Sequence, residues 1–270
     1  MTVIPPTSPR GTDAPPSTDT PGLGLALGGG GAYGAAHVGV LQVLEERGIR
    51  PSIVTGTSSG ALVGAAYAAG LGVAQIESVT REFRWRRIAR WNMSPRWGLL
   101  DTHEIATGLV QLLGEDPRIE QLPRRFGAVA TDLRTRRAVT IADGPLSRAL
   151  RASIAVPGLL PPVRVGGRLL ADGGMVDNVP FSAARGLGAE RVIVVRLHAR
   201  WETVRMMRTV SNTAALASDP SVVLIQPEMD RMAQWSMRDV PRLVAEGRRA
   251  AESALSARAS HQDAPSVQEA

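Results

Sequence analysis

Short apolar runs alternate along this chain with longer small-residue or amphipathic stretches, and the alternation reads as strand, helix, strand, helix. GLALG (24–28) has the length of a buried strand, and GAAHVGVLQVLEERG (34–48) spaces its apolar residues as a helix does before closing at Gly48. PSIVTG (51–56) is the next strand, and SSGALVGAAYAAG (58–70) is an Ala-rich helix ending at Gly70. This order predicts a right-handed βαβ unit in a mostly parallel sheet, hence a three-layer α/β/α fold. Residues 75–113 read as helical and irregular, with a break at Pro95. FGAVATDL (126–133) and RAVTIAD (137–143) are further strands, and PLSRALRASIAV (145–156) is a helix. RLLADGG (168–174) runs from a short strand into a turn. RVIVVRLH (191–198) has the apolar density of a central strand, and SVVLIQP (221–227) is one more. No internal repeat or linker divides Leu23 from Ala259. The expectation is one domain over 23–259, a disordered Pro/Thr/Ser-rich leader over 1–22 and a frayed polar tail over 260–270.

Composition narrows the chemistry. There is no cysteine in the 270 residues, which excludes disulfides, thiolate zinc sites and a Cys nucleophile and fits a reducing, cytoplasmic compartment. No run approaches the roughly 20 apolar residues of a membrane span. The first 22 residues lack the basic and apolar regions of a secretory signal. All 31 basic residues are Arg, giving a formal charge of +6. Acidic residues are interspersed throughout and no nucleic-acid module accompanies the charge, so no nucleic-acid partner is expected.

Four consecutive glycines in LALGGGGAYGAAHVGVL (25–41) sit between a strand and a helix. Such a turn cradles either a phosphate or an oxyanion with backbone N–H groups. Gly29, Gly31 and Gly34 satisfy G-x-G-x-x-G, but a dinucleotide site needs an acidic residue at the end of the next strand. That strand ends instead in GTSSG, a G-x-S-x-G motif made by Gly56, Ser58 and Gly60 between a strand and a helix. Glycines two positions either side of Ser58 remove Cβ atoms from a crowded turn, and Ser58 lies at a helix N-terminus that favours developing negative charge. Parallel strands place their C-terminal loops on one edge, so the glycine loop and the Ser58 turn converge. No cofactor and no metal are expected.

A serine nucleophile needs a base. The four histidines are poorly placed: His37 lies inside a helix and reads as a packing residue, His103 follows a loop, His198 ends a strand and His261 is in the tail. A carboxylate at a sharp turn is the alternative, and Asp172 in LLADGG is the candidate, with Gly173 and Gly174 letting the backbone turn beside it. An ordinary loop turn is the competing reading of D-G-G. Asp177 reads as a turn or capping residue.

Taken together, GGGGAYG, GTSSG and DGG resemble the patatin-like phospholipase family in its compact bacterial forms, as do FGAVATDL and the stretch from Arg151 to Pro180. The resemblance spans roughly Leu23 to Leu255. It implies a patatin-like fold and a Ser–Asp dyad without histidine, with Ser58 as nucleophile and Asp172 as base. It further implies an oxyanion hole lined by Gly29, Gly30 and Gly31, with the Ser59 amide contributing, and a lipid or acyl-ester substrate. Hydrolysis through an acyl-enzyme, acyl transfer to an alcohol, and a non-catalytic lipid-binding or regulatory role all remain open. The family usually carries Arg or Lys where this chain has Tyr33, which could donate its hydroxyl or pack against an acyl chain.

REFRWRRIARWNMSPRW (81–97) interleaves Arg with Trp85, Trp91 and Trp97. On a helix Trp85, Ile88 and Ala89 share one face, and Arg86, Arg87 and Arg90 the other. The segment suits peripheral contact with an anionic membrane or a lid, or equally a surface helix burying its apolar face in the domain.

Overall fold

A computed structural model of the chain describes residues 2–4, 19–82, 103–198, 213–230, 232–234 and 236–262. The Arg/Trp segment expected at 81–97 lies outside these from residue 83 onward.

Parallel strands form the centre of the sheet. β2 (Thr20–Leu27), β3 (Pro51–Thr57) and β8 (Arg191–Val195) pair in parallel, with β9 (Val222–Ile225) parallel beyond β8 and β4 (Arg125–Asp132) parallel beyond β3. These strands are apolar at nearly every position because both faces are covered. Leu25 and Leu27 of β2 join one core cluster while Ala26 joins another, and Ile193 and Val195 of β8 are split in the same way from Val192 and Val194. The first face is covered by α1 (Ala36–Glu46), α2 (Ser59–Ala68), α3 (Val73–Glu82), α4 (His103–Leu113), α5 (Leu146–Ser153) and α8 (Val240–Gln262). The second is covered by α6 (Phe181–Gly186) and α7 (Thr213–Ser218). This is the expected three-layer α/β/α arrangement.

Beyond β4 the sheet is mixed. β5 (Arg137–Ile141) runs antiparallel along one edge of β4, with β1 (Thr2–Ile4) parallel to β5 outside it. β6 (Val163–Val165) and β7 (Arg168–Asp172) form an antiparallel hairpin, and β7 also pairs antiparallel with β4. Because β5 already occupies one edge of β4, β7 shares the other edge with β3. β3 uses Arg125 to Val129, where Thr57 faces Val129. β7 takes over at Ala130, which faces Asp172. The C-terminal end of β3 and the C-terminal end of β7 therefore meet head to head beside one strand.

Order extends further at both ends than the expected boundaries at Leu23 and Ala259. β2 begins at Thr20, whose N–H donates to Arg50 O at 2.7 Å. Just before it, Asp19 pairs with Arg124 at 2.9 Å, and that guanidinium lies 4.4 Å from the Tyr67 ring centroid. At the other end α8 continues to Gln262. Its inner face packs on α1 with no side chain between the backbones. A Cβ on Gly39 would lie 1.9 Å from Val244 O, and one on Gly247 would lie 1.9 Å from Ala36 O. Arg248 ties the same pair of helices by a bidentate contact with Glu46 at 2.6 Å.

Candidate active site

Ser58 occupies the turn between β3 and α2 with φ 53° and ψ −122°, a left-handed conformation that costs a non-glycine residue energy and recurs at functional turns. The turn exists because its flanks carry no side chain. A Cβ on Gly56 would meet Gly60 O at 2.4 Å, and one on Gly60 would meet Leu27 O at 2.2 Å, so the end of β3, the start of α2 and the end of β2 lie in backbone contact. Ser58 is 5% exposed and Asp172 is 1% exposed, at the two strand ends that β4 brings together.

The Asp172 carboxylate divides its work. Oδ1 accepts from Gly174 N–H at 2.7 Å, which explains the D-G-G turn: Asp172 caps the short 3-10 helix Gly173–Met175 with its own side chain. Oδ2 is buried outside the reach of a conventional hydrogen bond. Burial raises the carboxyl to about 6, against the opposing pull of the nearby Ser58 hydroxyl and of Gly174 N–H. Ser58 is the only side chain that acts on it this way among the described residues. A Cβ on Gly173 would come within 2.4 Å of Val129 O and 3.0 Å of Thr57 Cγ2, so the strand end requires glycine there to pack against β3 and β4.

The glycine loop lies beside Ser58 as expected, with its amides in different states. Gly29 is clasped by Asn178: its N–H donates to Asn178 O and its carbonyl accepts from Asn178 Nδ2, both at 3.2 Å. Gly30 N–H donates to Ser59 Oγ at 3.0 Å. These two expected oxyanion donors are therefore engaged within the fold. Gly31 and Ser59 each open a helical turn, whose first N–H groups have no intrahelical acceptor, and no other hydrogen bond among the described residues engages either N–H. Gly34 is required by Ser59, whose Cβ would lie 2.6 Å from a Cβ at position 34.

His37 is fully buried. Its Nε2 donates to Gly28 O at 2.8 Å, supporting the glycine loop from behind, and burial lowers its pKa to about 4. It is the packing residue its helical position suggests. His198 contacts Gln226 at 2.9 Å and Arg196 at 3.3 Å. The side chains of His103 and His261 lie outside the described residues. Asp177 behaves as a turn residue: its carboxyl accepts from Val179 N–H, its carbonyl accepts from Thr57 Oγ1 at 2.9 Å, and burial pushes its pKa up to about 7. Of the two expectations for Tyr33, the structure shows the donating hydroxyl. Tyr33 is 1% exposed, and its hydroxyl donates to Met232 O at 2.9 Å, while the neighbouring Ala32 N–H donates to Gln234 O at 2.9 Å. Together these latch the glycine loop to the segment between β9 and α8.

Three residues at the site carry no sequence motif of their own. Ser153 and Ala155 at the end of α5 and Asn178 after the D-G-G turn act through hydrogen bonds to positions 95, 17 and 149 residues away. Spacing cannot reveal such contacts. No group of three metal-ligating side chains is present among the described residues, and no described helix is long and apolar enough to cross a membrane.

A parallel-centred α/β/α sheet whose strand–serine–helix turn meets a carboxylate at an adjoining strand end defines an α/β protein with its site at the C-terminal edge of the sheet. Residues 25–185 match the family described as Patatin-like phospholipase, and the chain belongs to that family. It is 41% identical over 184 residues to an uncharacterized NTE family protein of Mycobacterium tuberculosis, covering 67% of this chain and 50% of that one. It is 36% identical over 178 residues to the lysophospholipase nte1 of Aspergillus fumigatus, covering 64% of this chain and 12% of that one. The chain thus spans about half the length of the mycobacterial relative and far less of the fungal one. Among solved structures it resembles VipD from Legionella pneumophila, with a TM-score of 0.61 at 14% identity over 87% of this chain and 67% of that one. It also resembles the type III effector protein ExoU, with a TM-score of 0.54 at 15% identity over 88% of this chain and 53% of that one. At these identities the likeness is one of fold.

Proposed function

We propose that the chain is a serine hydrolase that cleaves lipid acyl esters through a Ser58–Asp172 dyad. The supporting observation is the meeting of two strand ends beside β4, which sets a strained serine against a buried carboxylate whose pKa of about 6 leaves it ionised at neutral pH. Asp172 accepts the Ser58 proton as Oγ attacks the ester carbonyl, and the resulting oxyanion is met by the N–H groups of Gly31 and Ser59. The tetrahedral intermediate collapses, the proton passes from Asp172 to the departing alkoxide, and an acyl-enzyme remains. Water, losing a proton to Asp172, then releases the fatty acid and regenerates Ser58. A carboxylate of pKa near 6 suits both halves of this exchange better than an exposed one near 4.

Lipid as the substrate rests on family membership and on the name lysophospholipase carried by the fungal relatives. The test is labelling with a fluorophosphonate followed by peptide mapping, alongside turnover of p-nitrophenyl esters and phospholipids by Ser58→Ala and Asp172→Asn. The expected result is a label on Ser58 and a loss of turnover on the order of 10⁴-fold or more in Ser58→Ala with the fold retained. An unlabelled Ser58, or turnover that survives its removal, would falsify the assignment.

A further inference from the structure

The end of α5 holds both members of the dyad by their backbones. Ser153 is fully buried, and its hydroxyl makes two bonds: it accepts from Ser58 N–H at 2.9 Å and donates to Val129 O at 2.7 Å. Two residues later Ala155 O accepts from Asp172 N–H at 2.9 Å. Val129 is the residue of β4 that faces Thr57, and its neighbour Ala130 faces Asp172. One three-residue segment, Ser153 to Ala155, is thus joined to the nucleophile turn, to the carboxylate strand and to the strand beside which both end.

We infer that Ser153–Ala155 is a bracket that sets the separation and orientation of Ser58 and Asp172, with Ser153 as a positioning residue for the reaction. Ser58 cannot fix its own position. Its φ of 53° is unfavourable for a side-chain-bearing residue, and the turn relaxes toward commoner geometry unless its amide is held. The Ser153 hydroxyl is the group that holds that amide. Because it donates to Val129 O at the same time, a shift of the serine turn relative to β4 strains two bonds at once. The Asp172 side is held from the same segment by main-chain atoms, so Ser153 is the part of the bracket that a side-chain substitution can remove. A displacement of about 1 Å between reacting groups can cost about 10²-fold in rate. The inference rests on the proposed Ser58–Asp172 chemistry.

The experiment uses the full chain and reads turnover per reactive site. Fluorophosphonate labelling to completion counts the competent Ser58 groups in wild type, Ser153→Ala and Ser153→Cys, and circular dichroism reports folding. Positioning predicts that kcat per labelled site and the second-order labelling rate both fall about 10²-fold in Ser153→Ala, with KM for a p-nitrophenyl ester within about twofold. A residue that only stabilised the fold would lower the number of labelled sites and leave kcat per site unchanged, and that outcome overturns the inference. Where Ser153→Ala does not fold, Ser153→Cys decides: it keeps the volume and weakens both hydrogen bonds, and an unaltered kcat per site overturns the bracket. A wild-type chain that neither turns over nor labels at Ser58 overturns the proposed reaction and this inference together, whereas active wild type with undiminished variants overturns the inference alone.

Discussion

Burial of the Asp172 carboxyl carries a cost to folding, and the sign of that cost is testable. Its folded pKa of about 6 lies above the ordinary 3.8, so its contribution to stability is fully present below pH 3.8 and is lost as pH rises through 6. The shift corresponds to about 3 kcal/mol against the folded state at pH 8. Asp172→Asn keeps an acceptor for Gly174 N–H and removes the buried charge, so it is expected to abolish turnover and to raise the urea midpoint at pH 8 above that of wild type. Equal or lower midpoints would show that the carboxylate is better solvated than its burial indicates. Under the proposed reaction the same ionisation sets the pH dependence of activity: kcat/KM for an ester substrate should rise with pH to a plateau above about 6, as Asp172 loses its proton in the free enzyme. A pH–rate profile flat between 5 and 7 would contradict it. Single side chains are also where spacing alone was least informative. D-G-G could be an ordinary turn or a presented carboxylate; the turn is made by Oδ1, which accepts from Gly174 N–H, while Oδ2 is buried and takes no part in it.

At the level of elements, the contact between α1 and α8 sets where the glycine loop stands. α1 follows that loop directly, and its position relative to the rest of the molecule is settled by backbone contact at Gly39 and Gly247. Gly39→Ala and Gly247→Ala each force a methyl to within 1.9 Å of a carbonyl oxygen and cannot be relieved by a side-chain rotation. Each is expected to destabilise by at least about 3 kcal/mol, at the upper end of the range for overpacked interiors. Gly48 has φ +65°, and a Cβ there would meet no atom within 4 Å, so Gly48→Ala should cost about 1 kcal/mol through backbone strain alone. Chemical denaturation of the three variants separates steric from conformational cost, and similar losses at all three would refute the close-approach reading. The helix boundaries of α1 and α2 follow from apolar spacing and terminal glycines, so they were legible in the chain. The β6–β7 hairpin was only half legible: RLLADGG reads as a strand, but the three residues of β6 are too few to show an alternating pattern.

Across the molecule as a unit, three buried groups titrate over one pH window, His37 in one sense and Asp172 and Asp177 in the other. His37 has its pKa lowered from 6.5 to about 4, so its contribution to stability is present above 6.5 and is lost as pH falls through 4, by about 3 kcal/mol. Asp172 loses a similar amount as pH rises across nearly the same interval. Asp177, raised by burial from 3.8 to about 7, loses stability in the same sense as Asp172, so the two carboxyls outweigh His37 and wild-type stability is expected to fall by about 3 kcal/mol between pH 4 and 6.5. Asp172→Asn should leave His37 opposed by Asp177 alone and so flatten the curve between pH 4 and 6.5. Urea titrations at half-unit pH intervals check this, and parallel curves for wild type and variant would rule out the compensation.

Periodicity and glycine placement act over ten to fifteen residues, and within that reach the chain specifies its own elements: the β2–loop–α1 and β3–turn–α2 units, the strained serine and the glycines that permit it. Which strand ends lie together is a matter of packing between segments far apart in the chain. β4 pairs with β3 and β7 on one edge, and that sharing sets Asp172 opposite Ser58 across 114 residues of sequence, although no local pattern records the antiparallel turn of β7. Ser153, Asn178 and Tyr33 belong to the same category. Each is an ordinary residue in its own stretch, and each has its role from a hydrogen bond to a distant backbone atom, because a buried polar group must find its partner wherever the fold places one.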